Sequence, residues 1–356
     1  MYTLIYYDDE VRERQPQRIV ELLQSDNLIC ELKLPPKNFD EVINQKADAI
    51  QIDYDLMGAQ DHGENITYHG NTLATEIRNK NPNIPLILIT RQAVIPDSMS
   101  IKMIGSDVDL VLFKDDVSKS PDNARQKIIT LIDGFKALSK VSGRPWQAVI
   151  NLIGASDKEA RSLREAFPPI EGKTWYVPQV AHWIQNVIMK YPGVLYDVLH
   201  ASARLGITSE SFLTDDVQQF FSTAKYTGIF HEMGRYWWAD RLVGLAKDLL
   251  LKEEIQGVVS EHFAEAFVRI HSTLELQPTV CIYDGTPVAD RICYIYKAPV
   301  KLSNSIRYYP DSRPPIMDEA RVSIKAVKES NDFDETLVDA DSFDLVSELW
   351  DEEDAR

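Results

Sequence analysis

The sequence predicts an α/β fold for residues 1–140, a five-stranded doubly wound parallel sheet. A mainly helical domain with a small β region and an acidic tail follows. Three observations predict this. Five short apolar runs alternate with amphipathic stretches, the order of a sheet built from βα units. The runs are apolar almost throughout rather than at every second position, as strands are when both faces of a sheet are covered. Four of them end on a charged or hydroxyl side chain, at the edge where open α/β sheets bind ligands.

The first strand is residues 4–7, closed by Asp8-Asp9. Residues 17–24 carry Ile19, Val20, Leu22 and Leu23 at mostly helical spacing. Residues 29–32 form a second strand stopped by Pro35-Pro36, and 39–44 open a second helix. The third strand, 47–52, ends at Asp53. Residues 71–78 are helical. The fourth strand, 85–90, ends at Thr90, and the fifth, 109–113, at Lys114. A long helix over 121–138 carries Ile128, Ile129, Leu131, Ile132 and Phe135.

Residues 141–145, Val-Ser-Gly-Arg-Pro, read as a linker. Residues 145–275 read as a helical effector or partner-binding domain. Ser156 and Glu159 make a capping box for a helix running to Phe167. Helices over 179–190 and 194–205 are parted by Pro192-Gly193, and 217–224 and 238–251 give two more. Residues 276–328 read as a small β-containing extension, with strands at 279–283, 292–296 and 300–302 and a turn at Asp284-Gly285.

The chain has 356 residues, 44% hydrophobic and 26% charged, with a net charge of −17. That length suits two or three domains at roughly 100–200 residues each. The last 28 residues, 329–356, hold 12 acidic residues and one Arg, so −11 of the −17 lies in this tail. A surface this acidic disfavours nucleic acid and anionic membranes as partners. No apolar run approaches the ~18–20 residues of a membrane span, and the N-terminus lacks the basic start of a signal peptide. Three cysteines without metal or disulfide spacing fit a cytoplasmic protein. The tail reads in two ways. It is a solvated run, or a short helix whose Phe343, Val346, Leu349 and Trp350 dock into a groove of a partner or of this chain.

The polar strand ends form a constellation: Asp8 and Asp9, Asp53, Thr90, and Lys114. Carboxylates converging in one crevice repel each other and need a cation. Hard oxygen ligands that leave room for water and phosphate oxygens suit Mg2+. A lysine is a point charge for a phosphoryl group, and a hydroxyl donates to it. A carboxylate beside the metal can accept the phosphoryl group as an aspartyl phosphate.

With these residues in this order, residues 1–140 resemble the receiver domain of bacterial response regulators, the CheY-like domain. The resemblance rests on Asp8-Asp9-Glu10, on Ala49-Ile50-Gln51-Ile52-Asp53, on Ile89-Thr90, on Phe113-Lys114 and on the helix over 70–78. It implies that Asp53 is the phosphoacceptor. It implies that Asp9 ligates Mg2+ directly, that Asp8 supports it, and that the Asp55 carbonyl completes the protein ligands. Lys114 then pairs with the phosphate, and Thr90 bonds a phosphate oxygen and couples it to the surface beyond the fourth strand. By sequence alone Asp55 is a rival acceptor, with strand register favouring Asp53.

The implied function is a response-regulator-like signalling protein. It is phosphorylated on Asp53, with Mg2+, by a histidine kinase, a phosphotransfer protein or a small phosphodonor. Its helical output module binds no DNA, and an output protein or a second copy of the chain is its expected partner. The alternative is a non-catalytic adaptor that keeps the receiver fold as a docking surface. A third reading, an enzyme assembled within 145–325, has no motif behind it.

The chain departs from the receiver pattern in four places. An insertion near 59–69 carries His62 and His69 and is placed to act as a lid. Arg91 follows Thr90 where a small residue is usual, and its bulk is expected to restrict attacking water. Asp115 follows Lys114 where a proline is usual, which puts the usual cis peptide in doubt. Val111 lies near the usual switching aromatic.

Other signals in the second half fail on inspection. Gly172-Lys173-Thr174 lacks the first glycine of a phosphate loop, and His231-Glu232 lacks the second histidine of a metalloprotease helix. His182, His200 and His271 read as core or surface residues. The would-be recognition segment 207–223 has no Lys or Arg, so it does not read DNA. The aromatic stretch from Phe220 to Trp238 reads as core, with a ligand- or partner-binding surface as the alternative.

Overall fold

The apolar runs become strands β1 (Tyr2–Tyr7), β2 (Leu28–Lys33), β3 (Ala49–Asp53), β4 (Leu86–Thr90) and β5 (Leu110–Phe113). They pair in parallel in the order β2-β1-β3-β4-β5, as the computed structural model gives them. Described residues are 1–43, 45–57, 60–61, 64–91, 108–141, 145–164, 166, 176–271 and 274–354. The strand order reverses between β1 and β3, which opens a crevice at their carboxyl ends. Every residue of β3 and β4 is buried, so their continuous hydrophobicity is a consequence of cover on both faces.

Side chains alternate along a strand, and the two faces bury different helices. Ile5, Tyr7, Ile50 and Ile52 join Leu73, Ala74 and Ile77 of α3 (Gly70–Lys80) in one core. The other face is flanked by α1 (Arg14–Leu23) and α5 (Pro121–Ser139), which pack on each other and bury Ile19, Leu23, Ile128, Leu131, Ile132 and Phe135. Pro16 lies in the first turn of α1 and Pro121 opens α5, where the missing N–H costs no helical bond. Two short helices complete the set, α2 (Asp40–Ile43) and α4 (Lys114–Lys119).

The chain divides into two units. The first comprises residues 1–153, 168–185 and 228–233, and the second 154–167, 186–227 and 234–356. The first adds helices α6 (Pro145–Ile153) and α8 (Val177–Trp183) to the sheet domain. In the second, α7 (Asp157–Arg164) starts with the expected capping box. The Ser156 N–H donates to Glu159 at 2.6 Å and the Glu159 N–H to the Ser156 hydroxyl at 3.4 Å. The helix ends at Arg164, and Phe167 lies outside the described residues, as do Gly172-Lys173-Thr174, most of the 141–145 segment and His62.

Two expectations in the second unit need correction. Residues 194–205 are not one helix: β6 (Leu195–Asp197) pairs with β7 (Tyr236–Trp238), and α9 (Val198–Arg204) begins only after Asp197 caps it. Residues 279–283 form no strand, because their backbone bonds go to scattered partners: the Thr279, Cys281 and Ile282 N–H groups donate to the carbonyls of Gly206, Thr286 and Pro299, and the bridges of Ile207 with Pro278 and Val280 with Pro287 are isolated.

A mixed sheet in the order β9-β8-β11-β10 contains β8 (Arg291–Cys293), β9 (Ala298–Val300), β10 (Ser305–Arg307) and β11 (Arg321–Ser323). The aromatic stretch is core: Phe221, Tyr226, Phe230, Trp237 and Trp238 are buried. Helices α10 (Ala239–Lys252) and α11 (Val259–Ile270) pack around part of it. The tail is not solvated throughout. Helix α13 (Phe343–Asp354) packs on α12 (Ile324–Glu329) and buries Val346 and Leu349 with Val322 and Val327. Phe343 stays exposed, and the Trp350 side chain lies outside the described residues.

Candidate functional site

The strand register builds the site. Tyr7 of β1 pairs with Ile52 of β3, so Asp8 and Asp53 leave the sheet side by side. Asp53 pairs with Ile89, and Thr90 with Phe113, which sets Thr90 and Lys114 along the same edge. Asp8, Asp53, Thr90 and Lys114 are all buried. Four polar side chains at the carboxyl end of a sheet otherwise filled by Ile and Leu are a built site rather than a solvated rim.

The Lys114 ammonium donates to Asp53 Oδ2 at 2.8 Å and to Asp8 Oδ2 at 3.1 Å. The Tyr54 N–H donates to Asp53 Oδ1 at 2.9 Å, and the Glu10 N–H to Asp8 Oδ1 at 2.9 Å. The Tyr6 hydroxyl donates to Asp8 Oδ2. Asp8, Asp9 and Asp53 offer carboxylate oxygens within 4.8 Å of one another, a set that can hold a metal ion. Asp55 stands apart: it is exposed, and its carboxylate accepts from the Met57 N–H at 3.4 Å. The Thr90 hydroxyl donates to the Arg91 carbonyl at 3.3 Å.

The charges are crowded. Burial pushes the Asp53 carboxyl up to about 7; Lys114 opposes this, and Asp8 and Asp9 add to it. Asp9 is pushed up to about 6, by burial first and then by Asp8. Burial alone would lower Lys114, but Asp53 and Asp8 outweigh it and hold the ammonium above its ordinary value. Among the described residues, one ammonium faces three carboxylates, which leaves the crevice short of positive charge. Hard oxygen donors with a deficit of cation fit Mg2+.

Three residues shape the site without standing out in the sequence. Tyr6 orients Asp8 from within an apolar strand. Gly70, the first residue of α3, lies against Asp53: its N–H donates to the Tyr54 carbonyl at 2.8 Å, and a Cβ there would sit 2.0 Å from the Asp53 carbonyl oxygen. Gln51, buried two residues before Asp53 on the same face, has neither amide atom hydrogen-bonded among the described residues. The one sequence signal was a Gln inside Ala-Ile-Gln-Ile-Asp.

The departures can also be placed. Arg91 lies 3.6 Å from Glu10 of the loop after β1 and donates a hydrogen bond to Gln15 of α1 at 3.1 Å. Lys114 opens α4, and no described peptide bond is cis. Within the described part of the insertion, Gln60–Asp61 pairs antiparallel with Glu64–Asn65. His69 stacks on Tyr54, with ring centroids 5.5 Å apart.

Among solved structures, the N-terminal region resembles response regulator receiver domains, and the rest of the chain is unrecognised. The Francisella response regulator 1452 receiver domain is 19% identical, over 37% of this chain and 98% of that one, with a TM-score of 0.29. Response regulator TrrA from Thermotoga maritima, solved in complex with Mg2+ and BeF, is 20% identical, over 37% and 99%, with a TM-score of 0.26. A receiver domain protein from Clostridium thermocellum is 18% identical, over 37% and 99%, at 0.26. No protein-family model and no curated protein matches the chain. At these scores the likenesses carry no argument, and the fold assignment rests on the strand order and register.

Proposed function

We propose that the first unit is a phosphoacceptor of the response-regulator kind and that Asp53 carries the phosphoryl group. The observation that supports this most is the shared ammonium: Lys114 spans Asp53 and Asp8, with Asp9 within reach. In the step, an Asp53 carboxylate oxygen attacks the phosphorus of a phosphohistidine or a small phosphodonor. The bond from phosphorus to the donor breaks, its electron pair leaves with the donor, and an acyl phosphate forms. Mg2+ held by Asp8, Asp9 and Asp53, with the Asp55 carbonyl, would neutralise charge on the phosphoryl oxygens. Lys114 turns from Asp53 toward the new phosphate. The Thr90 hydroxyl, whose partner among the described residues is a carbonyl at 3.3 Å, donates to a phosphate oxygen. Arg91 narrows the approach of water.

On this reading a histidine kinase or phosphotransfer protein supplies the phosphoryl group. Residues 145–275, with the 276–328 extension and the 329–356 tail, are the output and bind a protein rather than DNA. A second reading, an adaptor that is never phosphorylated, is favoured by one observation: Lys114 already closes the crevice with two ion pairs. Incubation with a small phosphodonor and Mg2+, followed by intact mass, separates the two. The proposal expects the wild type to gain one phosphoryl mass and Asp53→Asn or an EDTA-treated sample to gain none. An unchanged wild-type mass favours the adaptor.

A further inference from the structure

A cavity of about 930 Å³ opens in the second unit beneath α9, between the 311–320 segment and the β8–β11 sheet. Small-molecule sites span about 300–1,000 Å³. Seven Lys or Arg and five Asp or Glu line it, an excess of two positive charges in a chain of net charge −17. Some of these charges are closed pairs. Arg313 grips both oxygens of Asp311 at 2.8 and 3.0 Å, and Arg204 bonds Asp318 at 2.7 Å and the Tyr196 hydroxyl at 2.8 Å.

Arg291, Arg307, Arg321 and Lys297 are not closed into such pairs, although Arg321 also donates to the Ser305 hydroxyl at 2.9 Å and the Ser305 carbonyl at 2.7 Å. Arg307 of β10 stands directly opposite Arg321 of β11 in the antiparallel ladder, an arrangement of like charges that destabilises a sheet. One carboxylate serves both: Glu319 lies 2.9 Å from Arg307 and 3.7 Å from Arg321, while Asp339 also touches Arg307 at 3.4 Å. Among the described residues Arg291 pairs with its neighbour Asp290, at 2.7 Å. Burial, then Arg291 and Arg307, hold the Arg321 guanidinium below its ordinary value. Lys297 ends the turn between β8 and β9 with a φ of 49°, a left-handed position that Gly or Asn fills at less cost. Its ammonium lies 3.9 Å over the Tyr294 ring and forms no ion pair among the described residues. The opposed arginines cost stability without a ligand and are relieved by an anion; the left-handed Lys297 backbone costs stability whether or not one is bound.

We propose that this cavity binds a phosphorylated small molecule, its oxyanions lying among Arg291, Arg307, Arg321 and Lys297. Arg291 and Arg307 both bear on Arg321, and Lys297 lines the same cavity; such a set calls for more than a single negative charge. A phosphate monoester carries about −1.5 to −2 at neutral pH, and the guanidinium fork fits its oxygens in pairs. Leu199, Ile292 and Leu302 on the walls offer apolar surface for the rest of the molecule. Asp53 plays no part in this site, so the outcome here leaves the phosphoacceptor reading untouched.

The test is binding to the full chain in EDTA, by calorimetry and thermal shift, with AMP, ATP, GTP and inorganic pyrophosphate as probes. Adenosine and citrate are the comparators. At least one phosphorylated probe binds and raises the melting temperature, adenosine does not, and added salt weakens the binding. Arg291→Gln with Lys297→Gln lowers affinity about tenfold or more, since each removes a charge-assisted contact, with an unchanged circular dichroism spectrum. Lys297→Gly loses affinity while its melting temperature rises, because the left-handed backbone is relaxed. The proposal is overturned if no phosphorylated probe binds, if citrate binds as tightly as the best of them, or if the double variant binds like wild type.

Discussion

Asp53→Asn is expected to stabilise the metal-free protein, by an amount that depends on pH. The fold carries the Asp53 carboxyl from an ordinary 3.8 to about 7, through burial and through Asp8 and Asp9, with Lys114 opposing and the Tyr6 hydroxyl occupied by Asp8. A tenfold change in proton affinity is about 1.4 kcal/mol. Ionising this carboxyl in the folded state therefore costs about 4 kcal/mol more than in the unfolded chain. Between about pH 4 and 7 the folded protein holds the proton and the unfolded chain has lost it, so stability falls as pH rises and levels off above 7. An asparagine does not titrate, and Lys114 keeps Asp8 at 3.1 Å. Asp109, also pushed up to about 6, contributes to wild type and variant alike and cancels in the difference, whereas Asp9 feels the Asp53 charge, so its own response is part of the difference. Urea unfolding in EDTA, followed by circular dichroism at a series of pH values, reads that difference. It should grow from near zero at pH 4 to about 4 kcal/mol at pH 8. A difference that stays constant over this range would refute the claim that Asp53 is an ionised group held at a cost.

Further outcomes follow from the same geometry. Mg2+ should raise the melting temperature of wild type more at pH 8 than at pH 5.5, because protons compete at Asp9 and Asp53, and Asp9→Asn should abolish most of that rise; equal shifts at both pH values would contradict it. Gly70→Ala drives a Cβ onto the Asp53 carbonyl at 2.0 Å and should cost about 1–3 kcal/mol and slow phosphorylation, read by unfolding and by mass. Gln51→Leu removes an amide with no partner among the described residues and should stabilise by about 1–3 kcal/mol; a loss of stability would reveal a hidden polar partner. On the proposed function, Arg91→Ala should shorten the lifetime of the phosphorylated protein, measured by decay of the added mass.

The sheet was legible because a buried parallel strand has to be largely apolar on both faces, and 4–7, 86–89 and, but for Gln51, 49–52 are. The site was legible for a related reason: a charge at the end of such a run, as at Asp53 or Lys114, has nowhere to go but the crevice. What shapes those charges was less visible. Tyr6 reads as one more aromatic strand residue until its hydroxyl is seen on Asp8, and Gly70 reads as a helix start until its missing side chain is seen to admit Asp53. In the second unit, Leu195-Tyr196-Asp197 passes for helix because its partner, Tyr236–Trp238, is some 40 residues away in sequence, and no local pattern reports a distant pairing. The cavity was illegible for that reason too. Its cations come from positions between 190 and 321, and only the pairing of β10 with β11 sets Arg307 against Arg321. The tail's Val346 and Leu349 had the right spacing, but which groove they fill depended on Val322 and Val327.

Locating the phosphoryl group tests the account most directly. After treatment with a phosphodonor and Mg2+, borohydride reduces an aspartyl phosphate to homoserine, which peptide mass can place. The account predicts homoserine at position 53 and at no other carboxylate. Homoserine at 55, 8 or 9, or none under conditions where Mg2+ stabilises the protein, would contradict it.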